Sequence, residues 1–327
     1  MLPRNNSLKK LTFAGASAAL IASISVLAFG QQAPKKAETS DSDEAVFSAE
    51  TRLVQLPVTV SDKSGRLVTN LPQSAFQVYE NGVQQTIKLF KREDVPISLG
   101  LVIDNSGSMR EKRAGVESAA LTLVKDSNKQ DEVFVVNFND EAYLDADFTN
   151  DISLMEQGLT KIDSRGGTAM RDAIRMSVDH LKEKGKRDKK VILVVTDGND
   201  NASNMGLEAL VRLAQQDDVL IYAIGLLTDE EKREANKAKR ALNLLVDSTG
   251  GSVYYPKEVS EVEKIAHQVA YDIRNQYTIG YTPSNLALDG TFRAVKVTVK
   301  ASGNPVARTR SGYYATKDQA KGSRNPS

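Results

Sequence analysis

Three polar clusters in this 327-residue chain carry the residue types of a cation site. Asp104, Ser106 and Ser108 form an Asp-x-Ser-x-Ser run directly after the apolar stretch Ile97 to Ile103. Thr168 follows Gly166-Gly167 and precedes a helical pattern. Asp197 lies in Thr196-Asp197-Gly198, after the apolar stretch Val191 to Val195. Brought together, two carboxylates and three hydroxyls make an all-oxygen set for a hard divalent cation. Magnesium, which takes one or two carboxylates and keeps several waters, fits first, and manganese second. Without a cation, two carboxylates a few ångströms apart repel by about 4 kcal/mol at an effective dielectric of about 20. A dication reverses that sign. Neutral hydroxyl ligands leave part of its charge unquenched, so one more anionic oxygen can join from outside. Helix capping could account for Asp104 and Ser106, or for Thr168 alone. It does not account for Asp197 at a second strand end.

The five residues meet only if the elements carrying them share one sheet end. Between residues 96 and 274, apolar strands (Ile97 to Ile103, Val133 to Phe138, Val191 to Val195, Val219 to Ile224) alternate with amphipathic helices. The helices run through Val116 to Val124, Ile174 to Leu181, Leu207 to Ala214 and Val259 to Ile273. That alternation predicts a doubly wound, mostly parallel α/β sheet, with ligands bound outside the carboxyl ends of its strands. Ala142 to Phe148 reads as an antiparallel edge strand. The flanks differ in texture. Residues 46–95 and 275–316 hold short alternating strands: Leu53 to Val60, a strand at Phe76 and Val78, an Asn81-Gly82 hairpin, Val83 to Phe90, Tyr277 to Tyr281, Val295 to Val299 and Arg308 to Tyr314. Neither flank has enough strands to bury a sheet face alone. Together they predict a smaller β-sandwich-like module into which residues 96–274 are inserted.

Asp104, Ser106 and Ser108, with Thr168 in GGTAM and Asp197 in TDG, match the motif positions of the von Willebrand factor A family, which this segment resembles. The resemblance implies a complete metal-ion-dependent adhesion site. The serines and the threonine would face the ion, the aspartates would act directly or through water, and a glutamate or aspartate of a protein partner would complete the shell. PVTVSDKSGRLV, AFQVYENGVQQTI and SGYYA in the flanks are similar to the bacterial, largely acidobacterial, branch of that family, which implies export and names no partner.

Residues 1–30 independently read as a secretory signal. Arg4, Lys9 and Lys10 precede an uncharged stretch from Leu11 to Phe29, with small residues Ala28 and Gly30 near its end. An uncleaved membrane anchor is the alternative, and the only membrane contact expected. Cleavage removes three positive charges and no negative ones, taking the formal net charge from +1 to −2. Neither value draws the chain to nucleic acid. Residues 31–45 read as a flexible linker and 317–327 as a disordered tail. The absence of cysteine excludes thiol chemistry and disulfides. Export does not separate periplasm from exterior.

Catalysis at the same cation, such as metal-dependent hydrolysis, would need a general base beside it. The two histidines, His180 and His267, fall in helical stretches away from the strand ends, and no catalytic residue is assigned. The expectation is therefore a non-enzymatic interaction module. A structural envelope scaffold with a stabilising metal site is the second reading. Asp145, Asp147 and Asp151 lack cation-loop spacing, the charged run 229–240 reads as a solvated face at a helix start, and Asn199-Asp200-Asn201 reads as a polar loop, with a specificity-shaping rim as the alternative.

Overall fold

The computed structural model describes residues 53–92, 94–161, 164–227 and 232–316. The expected signal (1–30), linker (31–45) and tail (317–327) lie outside the described residues, as does Asp229-Glu230-Glu231. The chain begins with β1 (Val54–Ser61), β2 (Phe76–Glu80), β3 (Val83–Gln85) and β4 (Ile87–Lys91). Next come β5 (Ile97–Asp104), α1 (Arg113–Lys125), β6 (Glu132–Phe138), β7 (Ala142–Thr149), α2 (Ile152–Leu159), α3 (Met170–Lys184) and β8 (Lys189–Thr196). They are followed by α4 (Leu207–Gln216), β9 (Val219–Gly225), α5 (Lys232–Thr249), β10 (Val253–Tyr254) and α6 (Val262–Arg274). The chain closes with β11 (Tyr277–Tyr281), β12 (Phe292–Val299), β13 (Val306–Arg308) and β14 (Gly312–Tyr314).

Six central strands form one sheet in the order β10-β9-β8-β5-β6-β7, parallel throughout except for the antiparallel edge strand β7. Every residue of β5 and of β9 is buried, as befits strands covered on both faces. One face packs on α1, α2 and α6 through Val116, Leu123, Met155, Val262 and Val269. The other packs on α3, α4 and α5 through Ile174, Val178, Leu210 and Leu245. At Gly100 the Phe134 ring lies so near that a Cβ would sit 2.5 Å from it, so the tight seam between β5 and β6 requires a glycine. From β5 the chain first builds to one side with β6 and then to the other with β8. The β5/β8 border is therefore the switch point of the sheet.

The flanks build two four-stranded sheets, β13-β1-β11-β4 and β14-β12-β2-β3, with a shared apolar core of Leu56, Val58, Val78, Tyr277, Ile279 and Val297. Asn81 (φ 49°) and Gly82 (φ 82°) make the expected β2–β3 turn. Two of the expected strands are in fact four. Val83 to Phe90 breaks at Thr86, giving β3 in one sheet and β4 in the other. The Gln85 side chain is buried at the corner and exchanges hydrogen bonds with Ser284. Arg308 to Tyr314 breaks likewise, because Thr309 donates to the Pro57 carbonyl and Arg310 reaches Asp218 and the Gln55 carbonyl. The sandwich meets the inserted domain at the amino ends of its strands. Gln215 bonds Ser311, Arg308 bonds Gly251 and Ser252, and Gln276 bonds Thr59 and Tyr222. An eight-residue parallel strand is about 26 Å long, so the amino ends of β5 and β8 lie about that far from the edge that carries Asp104 and Asp197.

Glu80 locks the sandwich. Its carboxylate, 3% exposed, accepts the hydroxyls of Tyr281 (2.7 Å) and Tyr313 (2.8 Å), joining strands of both sheets and both flanks. Glu80→Ala removes the acceptor that two buried hydroxyls share and is expected to lower stability by about 2–4 kcal/mol. A wild-type melting temperature for this variant would refute the lock.

Candidate metal centre

β5 ends on Asp104 and β8 on Thr196, so adjacent parallel strands deliver Asp104 and Asp197 to the same edge at the switch point. Asp104 is buried at 1% exposure and held from two sides. Its Oδ1 accepts the Ser106 amide at 2.8 Å, and its Oδ2 accepts the Thr196 hydroxyl at 2.6 Å. Both donors are neutral, so the carboxylate is oriented while its charge remains uncompensated by them.

The loop after Asp104 turns through Ser106 so that the Ser106 and Ser108 hydroxyl oxygens lie 3.2 Å apart. Ser108 donates to Asp197 Oδ1 at 2.8 Å. A serine that spends its proton on a carboxylate keeps its lone pairs for a cation. Ser106 precedes the short 3-10 turn Gly107–Met109 but makes no side-chain capping bond to it, so capping does not explain this serine. Asp104, Ser106, Ser108 and Asp197 thus form one hydrogen-bonded cluster. Thr168 lies across from it. Its hydroxyl is 3.7 Å from where a Cβ on Gly198 would be, and it takes no part in the bonds tying the other four. The Gly166-Gly167 loop that carries it is pinned by Asp140, which accepts the Gly167 amide at 2.7 Å. Gly166, at φ +73°, comes so close to that carboxylate that a side chain would collide with it.

Burial, opposed by the bonds from Thr196 and Ser106 and reinforced by the charge of Asp197, raises the Asp104 carboxyl from 3.8 to about 6. The donor set is all oxygen, with two carboxylates and two hydroxyls already in mutual contact, and fits a hard divalent cation.

Several residues the sequence left unassigned shape the site. Thr196 orients Asp104. Asn201 accepts the Thr168 amide at 2.9 Å and donates its own amide to the Thr168 carbonyl, clamping two loops together. Asp200 accepts the Arg171 amide and guanidinium, fixing the start of α3. The Asn199-Asp200-Asn201 loop is therefore a brace. Lys112 places Nζ 2.5 Å from Asp197 Oδ2. The three aspartates near the edge strand disperse: Asp145 pairs with Lys161, Asp147 with His180 and Lys184, and Asp151 caps α2.

The raised Asp104 carboxyl sets a pH dependence. The fold holds this proton more tightly than the unfolded chain does, so the contribution of Asp104 to stability is fully present below about pH 4 and is lost as pH rises through about 6. The loss is about 3 kcal/mol. In chelator, Asp104→Asn is expected to abolish this part of the decline; identical stability–pH curves for the two proteins would contradict it.

The chain spans about half the length of the curated relative it matches. That relative is an uncharacterized protein of Borreliella burgdorferi, 23% identical over 175 residues, which are 52% of this chain and 50% of that protein. Among solved structures, proximal thread matrix protein 1 from the mussel byssus, with a zinc-occupied MIDAS motif, aligns at TM-score 0.49 and 17% identity, over 59% of this chain and 49% of that one. An aerotolerance-related membrane protein from Bacteroides fragilis aligns at 0.44 and 16%, over 54% and 98%. The vWF domain of a type V pili tip protein from Porphyromonas gingivalis aligns at 0.44 and 14%, over 55% and 97%. Residues 99–199, from within β5 to the loop after β8 and including all five candidate ligands, match the family model of the von Willebrand factor type A domain.

Proposed function

We propose that this chain is an exported, non-enzymatic protein-binding module. Asp104, Ser106, Ser108, Thr168 and Asp197 would hold a divalent cation, magnesium ahead of manganese, and an Asp or Glu carboxylate of a protein partner would complete the shell. The observation that carries the reading is the hydroxyl–carboxylate chain Ser106–Ser108–Asp197, beside Asp104 at the switch point. When bound, the ion supplies concentrated positive charge to an incoming carboxylate. Asp104, fixed by Thr196 and the Ser106 amide, is the oriented anionic ligand. Ser106 and Ser108 offer neutral oxygens. Asp197 steers Ser108 by accepting its hydroxyl hydrogen bond.

A non-catalytic role draws support from the placement of the histidines. His180 is stacked on Phe148 and bonded to Asp147, and His267 pairs with Asp126. Among the described residues, no histidine enters the hydrogen bonds of the site. Export rests on the basic and apolar pattern of residues 1–30, directed to periplasm or exterior. Among the described residues, no helix is long and apolar enough to cross a membrane.

Calorimetric titration of the purified protein with magnesium and with manganese tests the site. The expected result is saturable binding that Asp104→Ala loses while keeping a cooperative melt. Silence from the wild type would discard the metal reading, and an unfolded Asp104→Ala protein would favour a purely structural ion. Metal-loaded protein should also retain immobilised peptides containing Asp or Glu and release them on chelation. Retention unchanged by chelator would reject capture through the ion.

A further inference from the structure

Lys112 stands four residues after Ser108, just before α1, and is the nearest positive charge bonded to the cluster. Its ammonium lies 2.5 Å from Asp197 Oδ2, while Oδ1 of the same carboxylate accepts Ser108. The Asp197 side chain is 1% exposed and that of Lys112 20% exposed, so the lysine helps cover the carboxylate. Asp197 therefore has one oxygen on a candidate ligand and the other on an internal cation. A buried carboxylate left without a counter-charge is unfavourable, and Lys112 supplies one.

We propose that Lys112 is a built-in competitor for the metal: its ammonium neutralises Asp197 in the ion-free protein and must yield to, or share that carboxylate with, the incoming dication. This rests on the metal reading above and adds a control on affinity to it. Two consequences follow from charge alone. In the ion-free state the pair relieves the repulsion between Asp104 and Asp197. In the loaded state the ammonium and the dication are like charges at short range, partly shielded from solvent, so they oppose each other. The lysine thus stabilises the empty site and weakens the filled one. The other basic residues of this loop are engaged elsewhere: Arg110 bonds the Ser164 carbonyl, and Arg113 bonds Glu117 and the Leu159 carbonyl.

The test compares wild type, Lys112→Met, which keeps the aliphatic stem, and Lys112→Arg, which keeps the charge. Each is titrated with manganese and with magnesium, and each is melted in chelator and in saturating metal. Lys112→Met is expected to bind metal about tenfold or more tightly. In chelator it should melt about 2–4 °C below wild type, with the gap closing in saturating metal. Lys112→Arg should stay near wild type in both. Equal or weaker metal binding by a folded Lys112→Met protein would overturn the competition and leave the metal site standing. No binding by any of the three would overturn the metal reading, and the competition with it.

Discussion

Two carboxylates at the ends of neighbouring parallel strands govern the rest of this molecule. Asp104 and Asp197 are delivered by β5 and β8, whose seven-residue pairing leaves little freedom in where the strands stop. Like charges so placed are held together only if the surroundings answer them. The chain answers with the hydroxyls of Thr196 and Ser108, the amide of Ser106 and one ammonium, from Lys112. The rigid sheet beneath makes the arrangement persist. With both faces buried and β5 hydrogen-bonded to β8 along its length, the strand ends resist drifting apart to relieve the repulsion. A site of this kind is built by the sheet and tuned by the loops.

The loops are themselves tied to one another. Asp140 pins the Gly166-Gly167 turn, Asn201 pins Thr168, and Asp200 pins the start of α3. Three connections far apart in sequence become one surface through side-chain acceptors on backbone amides. Each such bond contributes only about 1 kcal/mol, but together they fix ligand positions that no single loop could hold. The far end of the sheet is equally constrained, since α6 finishes in an ion-pair cluster of Arg274 with Asp131 and Asp94 before the chain enters β11.

What the sequence disclosed follows from which interactions are local. The strand–helix alternation is a one-dimensional signal, so the doubly wound sheet, its edge strand and the flanking strands were legible. The five candidate residues stood out because each lies at an apolar strand end or in a Gly-Gly loop. The strand breaks at Thr86 and Thr309–Ser311 were not. Neither stretch holds the Pro or Gly-rich turn that marks a break, and the crossings are made by Ser284, Pro57, Gln55 and Asp218, each distant in sequence. Helix α2 went unread because it has only eight residues. Asp151, weighed as a cation ligand, in fact accepts the Ser153 amide as its cap. Lys112 was illegible for a different reason. A lysine in a charged loop reads as solvated, and only the fold brings it to a carboxylate 85 positions away.

The inserted domain leaves the sandwich after β4 and returns into β11, and these two strands are paired neighbours, with Lys91 opposite Thr278. β11 in turn pairs with β1, and β1 with β13. Tension applied through the chain that enters β1 and leaves β14 is therefore carried across by these antiparallel ladders. The covalent links of the inserted domain, after β4 and before β11, lie outside that path. As long as the ladders hold, such tension leaves the strand ends that carry Asp104 and Asp197 undeformed.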